Sequence, residues 1–148
     1  MRVIEASTIE ETICRLFKEC NYFIGDDIKA ALLKAKESEE SQTAKNVLEQ
    51  IIENDNIASR EEIPICQDTG MAVVFVEYGD KVVINGDFES AVNEGVRRAY
   101  SEGYLRKSVV DDPVYERKNT KDNTPAIIHT KIVSGERLRF TVGGKGFG

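Results

Sequence analysis

The spacing of hydrophobic residues in the first third of the chain predicts amphipathic helices. The first helix is predicted to begin at a capping box, for which there are two candidate pairs, Ser7 with Glu10 and Thr8 with Glu11. Its apolar face is predicted to carry Ile9, Ile13, Leu16, Phe17 and Cys20. Intervals of three and four residues place side chains on one side of a helix, so this face is expected to enter a core.

Two more helices are predicted after short connections. One starts at Asp26 or Asp27 and the next near Ser38, where acidic residues suit the positive end of the helix dipole. The polar run "ENDN" at 53–56 is predicted to end the third helix. The positions predicted to be buried in these two helices are Ile28, Ala31, Leu32, Ala35, Ala44, Val47, Leu48, Ile51 and Ile52. Three helices with short connections predict a compact helical lobe.

Two β-hairpins are predicted in the rest of the chain. The stretch "MAVVFVEYG" is β-branched and aromatic, and Gly79-Asp80 predicts a turn into "KVVI". The second hairpin is "IIHTKIV", turning at Ser134-Gly135 into "RLRFTV". Both pairs of strands are close in sequence, so the sheet is expected to be mainly antiparallel.

A helix is predicted between the two hairpins, capped by Asp87 and stopped by Gly103. The polar segment 104–126 then predicts a long loop or a pair of short elements, and long ordered loops are often functional. The predicted fold class is α+β, with an amino-terminal helical lobe followed by mainly antiparallel β-hairpins with a helix between them. Residues 1–148 are expected to form a single domain.

Composition and charge argue against several classes of partner. The chain has 148 residues, of which 41% are hydrophobic and 31% charged, as in ordinary globular proteins. Its net charge of −6 disfavours non-specific binding to nucleic acid or to an anionic membrane. The sequence contains no apolar run near the roughly 20 residues of a membrane span, and its start lacks the features of a signal peptide. A cytoplasmic location is therefore expected, with the three cysteines as free thiols.

Cys66, in the stretch "PICQDTG", is the sharpest candidate for chemistry. It follows Pro64 and precedes the turn-forming residues 68–70, so it is expected to be more exposed than a core cysteine. The alternative is a small residue packed beneath a loop. The polar neighbours Gln67 and Asp68 count against that alternative, because burying them without partners is costly.

The other candidate ligands do not complete a metal site. A self-contained zinc or iron–sulfur site needs about four ligands, often in C-x-x-C pairs. Cys20 falls on the apolar face of the first helix and is expected in the core, whereas Cys14 lies off that face and has no expected role. His129 is expected to be a surface or packing residue rather than a ligand or base. The residues alone therefore offer one convincing metal ligand.

Two groups could bind an anion. Arg106 and Lys107 lie just past the predicted end of a helix, where they are either a solvated pair that complements the helix dipole or part of an anion site. The terminal "GGKGFG" has four glycines in six residues, which would let backbone N–H groups approach an anion, unless it is a flexible tail. It is not a P-loop, because Lys145 is followed by Gly146.

Four motifs together resemble one family. In chain order they are "PICQDTG", "EGVRRAYSEGYLRKSVV", "NTKDNTPAIIHTKIVSGERLRFTV" and "GGKGFG". Their order and spacing resemble the amino-terminal part of the iron–sulfur (class I) fumarases, and L-tartrate dehydratase α subunits are similar. The resemblance runs from about residue 10 to the end of the chain, and the combination of "CQDTG" with "NTKDNTPA" is specific.

The resemblance implies a role for five residues. Cys66 would be one of three cysteine ligands to a [4Fe–4S] cluster that leaves one iron open. Gln67 and Asp68 would contact a dicarboxylate substrate, with Asp68 as a proton-transfer group. Arg106 would bind a substrate carboxylate. Gly146 would lie in a glycine turn whose backbone rests against the substrate.

The resemblance also implies an activity and partners. The activity is the reversible hydration of fumarate to L-malate, a step of the tricarboxylic acid cycle. Family α subunits continue past the glycine turn and supply two more cluster cysteines, so this chain is expected to be truncated there and inactive alone. Its expected partners are the remainder of the α subunit and a β subunit or carboxy-terminal domain, in a homo- or hetero-oligomer. Two alternatives stay open: an L-tartrate dehydratase α-subunit domain, and a non-catalytic assembly or binding module.

Overall fold

The fold was analysed in a computed structural model, which describes residues 1–66 and 68–146. Its elements, in chain order, are β1 Arg2–Glu5, α1 Ala6–Tyr22, α2 Asp26–Ser38, α3 Gln42–Glu61, β2 Met71–Gly79, β3 Val82–Asn85, α4 Phe88–Glu102, β4 Ile127–Val133 and β5 Leu138–Lys145. Helices and mixed sheets confirm the predicted α+β class. Within these ranges, the helices are too short or too polar to cross a membrane.

The core forms where α1 and α4 pack against one face of a three-stranded sheet. Its buried side chains come from α1 (Ile9, Ile13, Cys14, Phe17, Tyr22), from α4 (Ala91, Val92, Val96, Ala99, Tyr100) and from β2 (Ala72, Val74, Val76). Alternate residues of β2 are buried and Phe75 is exposed, so this strand has only one face on the core, although its apolar sequence suits burial on both faces. The two helices approach closely at Gly95, because a side chain there would lie 2.6 Å from the carbonyl oxygen of Glu10. Glycine at this position therefore sets the spacing between α1 and α4.

The strand pairing differs from both predicted hairpins. β2 is the central strand, with β4 parallel on one side and β5 antiparallel on the other. β3 leaves this sheet and pairs in parallel with β1, a strand that the hydrophobic pattern did not predict. The prediction of mainly antiparallel hairpins is therefore wrong, although the strands themselves lie where they were predicted.

The turns explain the error. The backbone N–H of Asp80 donates to Val133 O (2.8 Å), and that of Lys81 donates to Gly135 O (2.9 Å). The turn after β2 thus bonds to the turn between β4 and β5, and not across its own hairpin. The α4 crossover then brings β4 alongside β2 in the same direction, as parallel pairing requires.

Helices α2 and α3 form a hairpin that is more exposed than the predicted lobe. Residues of α2 are half-buried at most, and Ile28, predicted to be buried, is exposed, as are Val47 and Ile51 of α3. α1 belongs to the core with α4 instead of forming a lobe with them. The compact-lobe prediction is therefore wrong in its packing.

Two predicted helix boundaries are also wrong. α1 begins at Ala6, directly after β1, and its first residues make no side-chain cap bond, so neither capping box forms. α3 starts with Ser41 as its cap and continues through the "ENDN" segment to Glu61. Asparagine and aspartate lower helix propensity by only about 0.7 kcal/mol or less each, which tertiary contacts such as the burial of Ala58 can outweigh.

The two cysteines of α1 have exchanged their predicted environments. Cys14 is buried, and its thiol lies 3.8 Å from Glu102 Oε2 on α4. Cys20 is exposed, because the buried face of α1 runs through Cys14, Phe17 and Tyr22. The expectation that Cys20 is a core residue is therefore wrong, and so is the expectation that Cys14 lies off the buried face.

A charge network lies along the seam between α1 and α4. Glu102 accepts from Lys18 Nζ (2.6 Å) and from Arg98 Nε (3.0 Å), and Arg98 also donates to Glu10 (2.7 Å). Hydrogen bonds from Lys18 and then from Arg98 lower the pKa of Glu102 to about 2. The network is partly exposed, so its contribution to stability is small.

We expect Gly95→Ala to destabilise the protein by about 1–3 kcal/mol, because the added methyl group would overlap the α1 backbone and Ile13 Cβ. In an uncrowded helix the same change is stabilising by roughly 0.8–1.0 kcal/mol. A loss of unfolding free energy would therefore indicate close packing of α4 against α1. Urea unfolding measures the difference. Ser101→Ala, on the exposed side of α4, is the control and should change stability by less than about 0.5 kcal/mol. Equal stability of Gly95→Ala and wild type would contradict the close packing.

We expect Glu102→Gln to remove a pH-dependent part of the stability. The folded-state pKa lies below the ordinary value, so the charged carboxylate stabilises the fold above about pH 4.3. That contribution is lost as the pH falls through about 2. The variant should therefore be slightly less stable at neutral pH and should converge on wild type in acid, as followed by urea unfolding. Glu53→Gln, at an exposed position of α3, is the control. A difference in unfolding free energy between Glu102→Gln and wild type that does not depend on pH would count against the network.

Candidate functional site

The cysteine segment connects α3 to β2 and is fixed at both ends. Before the cysteine, the N–H of Ile65 donates to the carbonyl oxygen of Asn21, at the end of α1 (2.9 Å). After it, Thr69 is only 3% exposed and Gly70 is buried as well. Cys66 and Asp68 lie between these anchors and are exposed, as the sequence predicted for Cys66. The described residues of this segment, Cys66 and 68–70, are called the cysteine turn below, and they present a thiol and a carboxylate to solvent.

The glycine-rich end of β5 lies directly against this turn. Gly70 has a φ of +70°, and a side chain there would lie 2.1 Å from the backbone nitrogen of Gly146. A side chain on Gly144 would lie 2.4 Å from Thr69 O, and one on Gly146 would lie 3.0 Å from Asp68 Oδ2. The antiparallel register of β2 and β5 produces this approach. Asp68 and Gly146, predicted from distant motifs, are therefore neighbours.

Arg106 follows the end of α4 and lies next to the same turn. The Thr69 hydroxyl donates to the backbone carbonyl of Arg106 (3.2 Å). Arg106 and Cys66 also line a common pocket of about 530 Å³, to which Asn54 and Tyr104 contribute. The pocket thus combines a thiol, a fixed positive charge and an amide. A guanidinium group in a pocket can bind a carboxylate through two hydrogen bonds.

Two buried side chains support the turn, and neither was predicted from the sequence to have a role. The Tyr100 hydroxyl lies 2.8 Å from Thr69 O and 3.0 Å from Gly70 O. Burial raises the pKa of Tyr100, so its hydroxyl remains protonated and able to donate. Asn123 is completely buried and donates to Gly70 O (2.9 Å). Asn123 has a positive φ of +65°, a conformation in which asparagine is more common than most residues.

The other candidates do not add to this site among the described residues. Gln67 is outside the described residues. His129 is exposed and stacks on Phe75, with ring centroids 5.2 Å apart, so the prediction of a surface or packing residue is confirmed. Cys14 lies on the α1–α4 seam, away from the turn.

The described residues could hold a metal cluster only in part. Within 1–66 and 68–146, histidine, cysteine and acidic side chains do not form a group of three or more that could hold a metal ion. Cys66 is exposed beside a pocket, which fits one ligand position. A cluster at this place would need its other ligands from outside the described residues.

Comparison with known proteins identifies the family. Residues 10–148 match the model of the family described as "Fumarate hydratase (Fumerase)". The chain therefore belongs to the fumarate hydratase family, a family of hydro-lyases.

The relatives include proteins with two kinds of name. A Methanocaldococcus jannaschii protein named "Putative L(+)-tartrate dehydratase subunit alpha" is 36% identical over 117 residues, covering 78% of this chain and 40% of that protein. The "Fumarate hydratase class I, aerobic" of Escherichia coli K12 is 35% identical over 114 residues, covering 76% of this chain and 21% of that protein. The "Fumarate hydratase class I, anaerobic" of the same strain is 35% identical over 122 residues, covering 80% and 22%. The chain thus spans less than half the length of these relatives.

We expect Gly144→Ala and Gly143→Ala to differ sharply, although the two positions are adjacent. A methyl group on Gly144 would overlap Thr69 O, whereas one on Gly143 would meet no atom of the described residues within 4 Å. Gly144→Ala should destabilise the protein by roughly 1–3 kcal/mol in urea unfolding and shift the NMR signals of residues 68–70. Gly143→Ala should be close to wild type in both. Similar behaviour of the two variants would contradict the close approach of β5 to the turn.

Proposed function

We propose that residues 1–148 are the amino-terminal domain of an iron–sulfur hydro-lyase that hydrates fumarate reversibly to L-malate. The observation that carries this proposal is the meeting of three separate segments at the Cys66–Gly70 turn. Asp68 lies beside Gly146, and Thr69 bonds to the backbone of Arg106. The remainder of an α subunit, together with a β subunit or carboxy-terminal domain, would complete the site.

Each residue has a role that suits its place. Cys66 would hold one iron of a [4Fe–4S] cluster, since its thiol is exposed beside the pocket. When bound, such a cluster supplies a Lewis-acidic iron that activates water and holds a hydroxyl group. Arg106 would bind one carboxylate of the substrate through its planar fork. Gly146, having no side chain, leaves its backbone open to the substrate.

Asp68 would transfer the proton. Hydration of a double bond adds a proton to one carbon and hydroxide to the other. A side chain that can transfer a proton, such as a carboxyl group, must therefore lie beside the substrate. Asp68 is exposed next to Gly146, where a bound dicarboxylate would reach it. Gln67 is proposed as a further substrate contact.

The substrate has a second candidate. The relative named as a tartrate dehydratase subunit and those named as fumarate hydratases are almost equally similar, at 36% and 35% identity. Tartrate and malate differ by one hydroxyl group and both carry two carboxylates, so either could place one of them on Arg106. Assay of both substrates decides between them. A non-catalytic assembly module of the same fold would show neither activity.

The test begins by assembling the chain with the remainder of an α subunit and a β subunit or carboxy-terminal domain. The assembly is then reconstituted anaerobically with iron and sulfide. We expect brown cluster absorbance and hydratase activity, and we expect Cys66→Ala to lose both because one ligand is missing. Cys20→Ser is the matched control, since Cys20 is also exposed but lies on α1, and it should keep both. The 148 residues alone should show no stable cluster and no turnover. A wild-type assembly that stays colourless and inactive would refute the enzyme proposal.

A further inference from the structure

We propose that Asn123 is a positioning residue that holds the loop of Cys66 and Asp68 at a fixed spacing from the loop of Arg106. The inference rests on the proposed function in what it says about the reaction, but the bridge itself can be tested in the chain alone. It assigns a role to the most deeply buried polar side chain of the described residues.

The carboxamide of Asn123 bonds to both loops at once. Its Nδ2 donates to the carbonyl oxygen of Gly70 (2.9 Å), at the end of the cysteine turn. Its Oδ1 accepts from the backbone N–H groups of Ser108 (2.8 Å) and Val109 (3.1 Å), two and three residues after Arg106. One rigid planar group therefore sets the distance between two backbone segments that are far apart in sequence.

The other supports of the turn do less. Tyr100 supports the turn and Asn123 itself, because its hydroxyl contacts Thr69 O, Gly70 O and the side chain of Asn123, but it makes no bond to the Arg106 loop among the described residues. Thr69 reaches the Arg106 carbonyl, but through a single hydroxyl at 3.2 Å. Asn123 makes three hydrogen bonds without exposure to water, and a buried amide loses more free energy than an exposed one when a partner is removed.

The spacing matters for a dicarboxylate substrate. One carboxylate at Arg106 fixes one end of the molecule, and the proton must come from Asp68 at a defined carbon. A shift of the two loops relative to each other would misplace the reacting carbon even if both side chains remained present. Asn123 would thus affect substrate binding and proton transfer without touching the substrate.

Asn123→Asp separates the two halves of the bridge. Aspartate has nearly the same shape and can still accept from Ser108 and Val109, but its carboxylate cannot donate to Gly70 O. Asn119→Asp is the matched control in the same loop. Asn119 donates to Lys107 O (2.9 Å) and accepts from Lys121 N–H (2.7 Å), so the control also loses one donor, but it loses no bond to the cysteine turn.

The first measurement is hydrogen exchange by NMR on the 148-residue chain. Asn123→Asp should speed amide exchange in residues 71–73 by roughly tenfold, because this start of β2 is paired with β5 and follows directly on Gly70, whose carbonyl loses its donor. Asn119→Asp should leave those residues unchanged. The burial of Cys14 serves as an internal check on global unfolding, because alkylation of that thiol should stay slow in both variants. Equal effects of the two variants on residues 71–73, or no effect of either, would overturn the bridge.

If Asn123→Asp does not fold, wild-type exchange in rising urea replaces it. A bridge requires the amides of Ser108 and Val109 to open together with those of residues 71–73 at the start of β2, with one common urea dependence. Independent opening of the two loops would overturn the proposal.

The second measurement uses the assembled hydro-lyase. Asn123→Asp should raise the KM for the dicarboxylate several-fold and lower kcat, while cluster absorbance per chain stays unchanged. A purely structural defect would instead lower the amount of active protein and leave KM unchanged. An unchanged KM would overturn the positioning role. An inactive wild-type assembly with the expected exchange pattern would refute the proposed function and leave the bridge supported.

Discussion

The rest of the structure depends on one constraint, which is the close approach of the backbone at 69–70 to the backbone at the end of β5. Glycine at 70, 144 and 146 removes the side chains that would otherwise keep the segments apart. The same approach fixes the register of β2 and β5, which pair Ala72 with Gly144. Because β2 is the central strand, that register also places β4 and the helices that cover the sheet. Fold and candidate site thus share one contact.

Such an approach buries backbone carbonyls, and these need partners. The carbonyls of Thr69 and Gly70 turn towards α4 and the 104–126 loop, where Tyr100 and Asn123 supply donors. Among the described residues, buried side-chain nitrogen and oxygen atoms all have hydrogen-bond partners. A buried carbonyl without a donor would destabilise the fold by about 1–3 kcal/mol, and these two side chains avoid that loss. α4 therefore has two tasks: Val96 packs the core while Tyr100 supports the turn.

The sequence predicted what depends on local signals. The bounds of α4 follow from the Asp87 cap, whose Oδ1 accepts from Ser90 N–H at 2.6 Å, and from Gly103 at its end. The exposure of Cys66 followed from its polar, turn-forming neighbours. Strand pairing could not be predicted in this way, because turn residues at Gly79-Asp80 show where the chain reverses and not which strand it meets. Asn123 was missed for a similar reason, since its partners are backbone groups that no local pattern reveals.

The charge of the chain makes the arrangement around the turn more demanding. A dicarboxylate would approach a protein of net charge −6 and, under the proposed function, would come to rest beside the carboxylate of Asp68. Arg106 is the cation that lines the pocket among the described residues, and the backbone dipoles near Gly146 would add to its attraction. Attraction and repulsion both change steeply over a few ångströms. Such a site therefore works only if Asp68 and Arg106 keep a constant separation. Buried hydrogen bonds near both residues serve this purpose, whereas the exposed helix α2 needs no such support.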